Sequence, residues 1–131
     1  MDLPLERIHP LAFKAAEATH CADEQGKFWE MHDRLFESQN ALAPFSAHAT
    51  ALGLDVARFD ECLSSGKYAG DVRKDMEQAQ KAGATGTPSF VLGRTDPENP
   101  SAVKGITFLR GARAFADFKA EIDRALSEAG R

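Results

Sequence analysis

At Ala84 the chain changes character, and that break limits what it can fold into. Before it, apolar residues recur at helical spacing. Phe28, Met31 and Leu35 share one face, then Val56, Phe59 and Leu63, then Tyr68, Val72, Met76 and Ala79. The segment from His9 to about Glu37 reads as two helices separated by a stop at Gly26, because glycine supplies the left-handed cap that closes a helix. Asn40 to Pro44 reads as a loop. Ser46 is a predicted N-cap for a short helix ending near Gly53, and Asp55 is one for the next, which Ser64-Ser65-Gly66 ends. After Ala84 come Thr85-Gly86-Thr87-Pro88, which is turn chemistry, and Ser89-Phe90-Val91-Leu92, a short apolar strand. The stretch Gly93 to Gly105, with Pro97 and Pro100, reads as a loop, and Ile106 to Leu109 as a second strand. Phe115, Phe118, Ile122 and Leu126 then mark a terminal amphipathic helix. Two strands alone are marginal in water. The expected sheet is therefore incomplete, carried by a mostly helical chain.

At 131 residues the chain has the size of one domain, with 43% apolar residues for a core and 27% charged residues for a surface. The net charge of −4 argues against nucleic acid, which asks for a basic face, and against a polybasic membrane-surface patch. No apolar run has the length of a membrane span. The first residues, Met1 to Arg7, lack a basic stretch followed by an apolar one, so no secretory signal is read in this chain.

Cys21 and Cys62 are the two cysteines, too far apart for a Cys-x-x-Cys motif; one bridge or two buried free thiols both satisfy the count. His9, His20, His32 and His48 do not combine with them in a zinc spacing. Each histidine is expected to be surface or partly buried, with His32 packing between helices. Trp29 and Phe28 are expected in the core. Asp71, Asp75 and Glu77, interleaved with Arg73, Lys74 and Lys81, are expected on a solvated helix face. Gly83 and Gly86 precede a strand, where a phosphate cradle would precede a helix. No metal or other cofactor is expected.

Gly83-Ala84-Thr85-Gly86-Thr87-Pro88-Ser89-Phe90-Val91 resembles the cis-proline loop of the thioredoxin superfamily. Three further pieces resemble its DsbA-like branch. Glu24 to Asp33 (Glu-Gln-Gly-Lys-Phe-Trp-Glu-Met-His-Asp) is similar to the start of the helical insertion, and Phe59 to Leu63 with Ser65 to Tyr68 to a later part of it. Leu109-Arg110-Gly111-Ala112, leading into Phe115 to Ile122, is similar to the last strand and helix. The resemblance implies an α/β, partial thioredoxin-like fold, mostly helical, as one domain over 1–131. Residues 8–83 would form the helical insertion and 84–131 the cis-Pro loop, a two-stranded antiparallel element and the C-terminal helix.

In that family a cysteine of lowered pKa at a helix N-terminus carries thiol–disulfide exchange, and the loop opposite docks an extended polypeptide by strand addition. The resemblance gives the docking role to Gly86, Thr87 and Pro88. Taken alone the same residues make an ordinary turn with trans proline, since about 5–6% of X–Pro bonds in folded proteins are cis. The resemblance also implies a structural Cys21–Cys62 bridge. The catalytic Cys-x-x-Cys is absent from this chain, whose start matches the exit of the family's second redox-side strand. The expected function is a DsbA-like thiol–disulfide oxidoreductase family member without catalytic residues of its own here, redox-inactive alone. The alternative is a protein-binding or assembly module using the strand edge, with a partner strand or a second copy there. The family is typically periplasmic or otherwise extracytoplasmic.

Overall fold

The computed structural model describes residues 1–129 and divides into two compact units, Met1–Ala79 and Gln80–Arg131. The last two residues of the expected 1–131 domain lie outside the described residues. The first unit holds α1 (Ala12–Asp23), α2 (Phe28–Glu37), α3 (Phe45–Ala51), α4 (Val56–Ser65) and most of α5 (Ala69–Lys81). Gly26, at φ 70°, makes the predicted stop, and Lys27 N–H donates back to Ala22 O at 3.0 Å. Asp55 caps α4 as predicted, its carboxylate accepting from Arg58 N–H at 3.1 Å. The cap of α3 is corrected: Pro44, in extended conformation, precedes the helix, and Ser46 lies inside it.

These helices close on one core. Ala18, Cys21 and Ala22 of α1 meet Met31 and Leu35 of α2, Ala49 of α3, and Phe59 and Cys62 of α4. Small residues on α1 allow the close approach, and Met31 and Phe59 fill the space, both fully buried. Full burial of one such side chain stabilises by roughly 1.5–3 kcal/mol. Met31 and Leu35 lie on the predicted face of α2, but Trp29 does not join them. It is 68% exposed, and Phe36, seven residues on, is 64% exposed. The pair forms the opposite stripe of the same helix, where His32 lies between their rings at 5.3 and 4.7 Å.

The second unit is a hairpin and a helix. β1 (Ser89–Thr95) pairs antiparallel with β2 (Val103–Arg110), from Ser89 opposite Arg110 to Thr95 opposite Val103. Both strands are longer than the sequence suggests, and the connection shrinks to residues 96–102. Asp96 organises it by accepting from Glu98 and Asn99 N–H at 2.8 and 3.3 Å. A bulge between Leu92 and Gly93 lets pairing continue through two glycines. Any side chain at Gly93 would place its Cβ 2.6 Å from Lys104 O, so the backbones approach there as only glycine allows. α6 (Phe115–Ala129) lies on one face: Phe90 meets Phe118 edge-on at 4.9 Å, and Arg124 donates to Thr107 Oγ1 at 2.9 Å. The Ala43–Pro44 and Thr87–Pro88 peptide bonds are both cis.

Candidate functional site

Gly86, Thr87 and Pro88 form the lead-in to β1. Thr87 and Pro88 are exposed and Gly86 partly buried. Ser89 Oγ donates back to Gly86 O at 2.6 Å, and Gly111 N–H donates to Pro88 O at 2.8 Å, extending the hairpin ladder by one bond beyond Ser89. The loop is thus tied to the end of β2. Among the described residues the sheet has two strands, so β1 has β2 on one side and no strand on the other. The same unit leaves much apolar surface in water: Val91 is 51% exposed, Phe115 is 80% exposed, and Phe90, Val103, Ile106, Ile122 and Leu126 are exposed as well.

Cys21 and Cys62, 41 residues apart in sequence, are brought together in a disulfide, with Cα atoms 5.8 Å apart. The bridge ties α1 to α4 inside the core. No free cysteine remains. Beside it lies an ionic cluster that sequence reasoning misses. Glu24, just past α1, places Oε1 2.6 Å from Lys67 Nζ, accepts from Tyr68 Oη at 2.9 Å, and lies 3.7 Å from Cys62 Sγ. The hydrogen bond from Lys67, then that from Tyr68, holds the Glu24 carboxyl below the usual carboxylate range. The hydrogen bond to Glu24 raises Lys67 in turn, and burial pushes the Tyr68 phenol up. With Arg58, Glu61, Cys62 and Ser65, Glu24 and Lys67 line an open cavity of about 280 Å³. Glu24 and Lys67 both fall in segments of the family resemblance, but nothing in their spacing reveals that they meet.

Three of the histidines make side-chain contacts. His48 is buried, not surface or partly buried as expected. Its Nδ1 accepts from Arg34 Nε at 3.1 Å, while Nε2 lies 3.0 and 3.1 Å from the carbonyls of Ala41 and Leu42. The donor at Nδ1 and the carbonyls at Nε2 select the neutral tautomer with its proton on Nε2. His20 pairs with Asp2 at 2.9 Å and stacks on Tyr68. His32 pairs with its neighbour Asp33. Among the described residues no three His, Cys, Asp or Glu side chains converge as a metal set, and no helix is long and apolar enough to cross a membrane.

The family model described as DSBA-like thioredoxin domain matches residues 2–123. The chain is also similar to part of several curated proteins. It is 38% identical over 107 residues to Na(+)/H(+) antiporter NhaA 3 of Salinispora tropica, which is 80% of this chain and 16% of that protein. It is 42% identical to Na(+)/H(+) antiporter NhaA 1 of Salinispora arenicola over 69% of this chain and 14% of that one. The NhaA 1 antiporter of Mycolicibacterium vanbaalenii is likewise 42% identical, over 68% and 15%. The chain thus spans about one-sixth of the length of these relatives or less. No solved structure matches it.

Proposed function

The chain belongs to the family of DSBA-like thioredoxin domains, and from that membership we propose that it works as a polypeptide-docking module without dithiol chemistry of its own. The observation that carries this is the fate of its cysteines. The chain has two, both are consumed in one bridge set in the helical core, and neither belongs to a Cys-x-x-Cys pair. Thiol–disulfide catalysis needs a thiolate that substrate can reach. What this chain offers a protein substrate is the Gly86-Thr87-Pro88 lead-in and the open side of β1. An extended chain can add there as a strand, its backbone giving affinity and Phe90 and Val91 giving apolar contact. The exposed apolar surface of the second unit supports the reading, because uncovered strand edges of this kind invite pairing. A second copy of the chain is the alternative occupant of the same edge.

Two measurements test it. In an insulin turbidity assay with dithiothreitol, the native chain is expected to give the same rate as its Cys21→Ser/Cys62→Ser variant; a clear excess would refute the absence of catalysis. Reduced, carboxymethylated α-lactalbumin is unfolded and thiol-free. Titrated into labelled chain, it is expected to shift the amides of Gly86, Thr87 and Ser89–Leu92. Shifts confined to the first unit, or none, would remove the docking edge.

The relatives favour a second reading of the partner. A segment similar to this chain forms part of proteins named as Na(+)/H(+) antiporters; on this reading the docked polypeptide would be a segment of such a transporter. Co-expression with an antiporter lacking the similar segment is expected to yield a complex stable to purification. Recovery no greater than with an unrelated membrane protein would count against it.

A further inference from the structure

We propose that Cys62 is a thiol-modification site. Small thiols entering the cavity lined by Glu24, Arg58, Glu61, Ser65 and Lys67 open the Cys21–Cys62 bridge at the Cys62 sulfur, and the Glu24 carboxylate restrains the rate. The two ends of the bridge are unequal. Cys21 is 1% exposed and sits among Ala18, Ala22, Met31 and Phe59 in the core. Cys62 is 6% exposed and lines the open cavity, its Sγ 3.7 Å from the carboxylate that lines it too. Exchange requires a thiolate to reach one sulfur while the other leaves, and the cavity gives access to Cys62. At about 280 Å³ it has room for a small thiol of a few heavy atoms. The bridge lies in the first unit and β1 in the second, so its opening does not depend on the docking reading.

A small thiolate attacks Cys62 Sγ and forms a mixed disulfide there. The bond between the two protein sulfurs breaks, and its electron pair goes to Cys21 Sγ, which takes a proton from solvent. A second small thiolate then attacks the sulfur of the first and releases Cys62. Two small thiols are thus oxidised to their disulfide and the protein bridge is reduced to two thiols. Burial among apolar side chains disfavours the Cys21 thiolate and makes it a poor leaving group, so opening is slow. While Cys62 still carries the small thiol as a mixed disulfide, the Cys21 thiolate can attack Cys62 Sγ, expel the small thiolate and re-form the bridge.

Glu24 adds a second control. Lys67 and Tyr68 hold its charge beside the sulfur under attack. A like charge about 5 Å from an incoming thiolate slows it roughly fourfold in water. The folded chain is incubated with 2-mercaptoethanol, quenched with alkylating agent under denaturing conditions, and mapped by mass spectrometry at early times. The adduct is expected on Cys62 with Cys21 alkylated. Glu24→Gln is expected to react roughly fourfold faster at low ionic strength, with the gap closing in about 1 M salt, where screening shortens to about 3 Å. Tyr68→Phe loosens the cluster but keeps the charge, and is expected to lack that salt-dependent gain. An adduct on Cys21 in equal or greater yield, or no adduct after hours, would overturn the site. Equal, salt-insensitive acceleration in both variants would overturn the role of the charge.

Discussion

The Cys21→Ser/Cys62→Ser variant is expected to lose about 4 kcal/mol of stability, the chain-entropy estimate for a loop of this span. The two residues stand 41 apart in sequence, and the bridge closes a loop holding α2, α3 and most of α4. Without it the unfolded chain regains freedom that the native chain never had. The loss is a large part of the roughly 5–15 kcal/mol by which domains are stable. Urea unfolding checks it. With a slope between about 1 and 3 kcal/mol/M, the midpoint should fall by about 1–4 M. A shift under about 0.5 M would mean that the unfolded chain keeps these helices together without the bond.

Phe59→Ala is expected to cost about 3–5 kcal/mol through the lost burial and the cavity left behind. Phe59 is fully buried on α4, one turn before Cys62, and belongs to the same cluster as Cys21, Ala22 and Met31. The bridge limits how far α1 and α4 can close on the void, so relaxation is poor. Combining Phe59→Ala with loss of the bridge should therefore cost less than the separate losses added, as expected for residues in contact. Phe36→Ala, which removes an equally large but exposed ring, should move stability by about 0.5 kcal/mol or less. Thermal unfolding of the set, followed by circular dichroism, gives the comparison; equal losses at Phe59 and Phe36 would refute the placement of the core.

Helices were legible because their signals are local. Periodic Met31–Leu35 and Val56–Phe59, the Gly26 stop and the Asp55 cap each depend on neighbours within a turn or two. The strands were legible in position but not in length. Gly93, Gly105, Pro97 and Pro100 punctuate the sequence as a loop would, whereas the bulge turns Gly93 into a point of close pairing and leaves Gly105 opposite it. Trp29 misled because adjacent aromatics suggest one shared environment, yet residues one apart on a helix point about 100° from each other. The site was legible in parts. Gly86, Thr87 and Pro88 are contiguous, and the pairing of Cys21 with Cys62 came from the family resemblance. The meeting of Glu24 with Lys67, and of Arg34 with His48, depends on tertiary approach over 43 and 14 residues, which no local pattern records.

Trp29 is the chain's single tryptophan, and it stands in water on the outer stripe of α2. The native indole is therefore already close to the solvation it has in an unfolded chain, and its emission carries little information about the core. What it does sense is the surface it shares with His32 and Phe36, so intrinsic fluorescence is a reporter of contact at α2 and a poor gauge of folding.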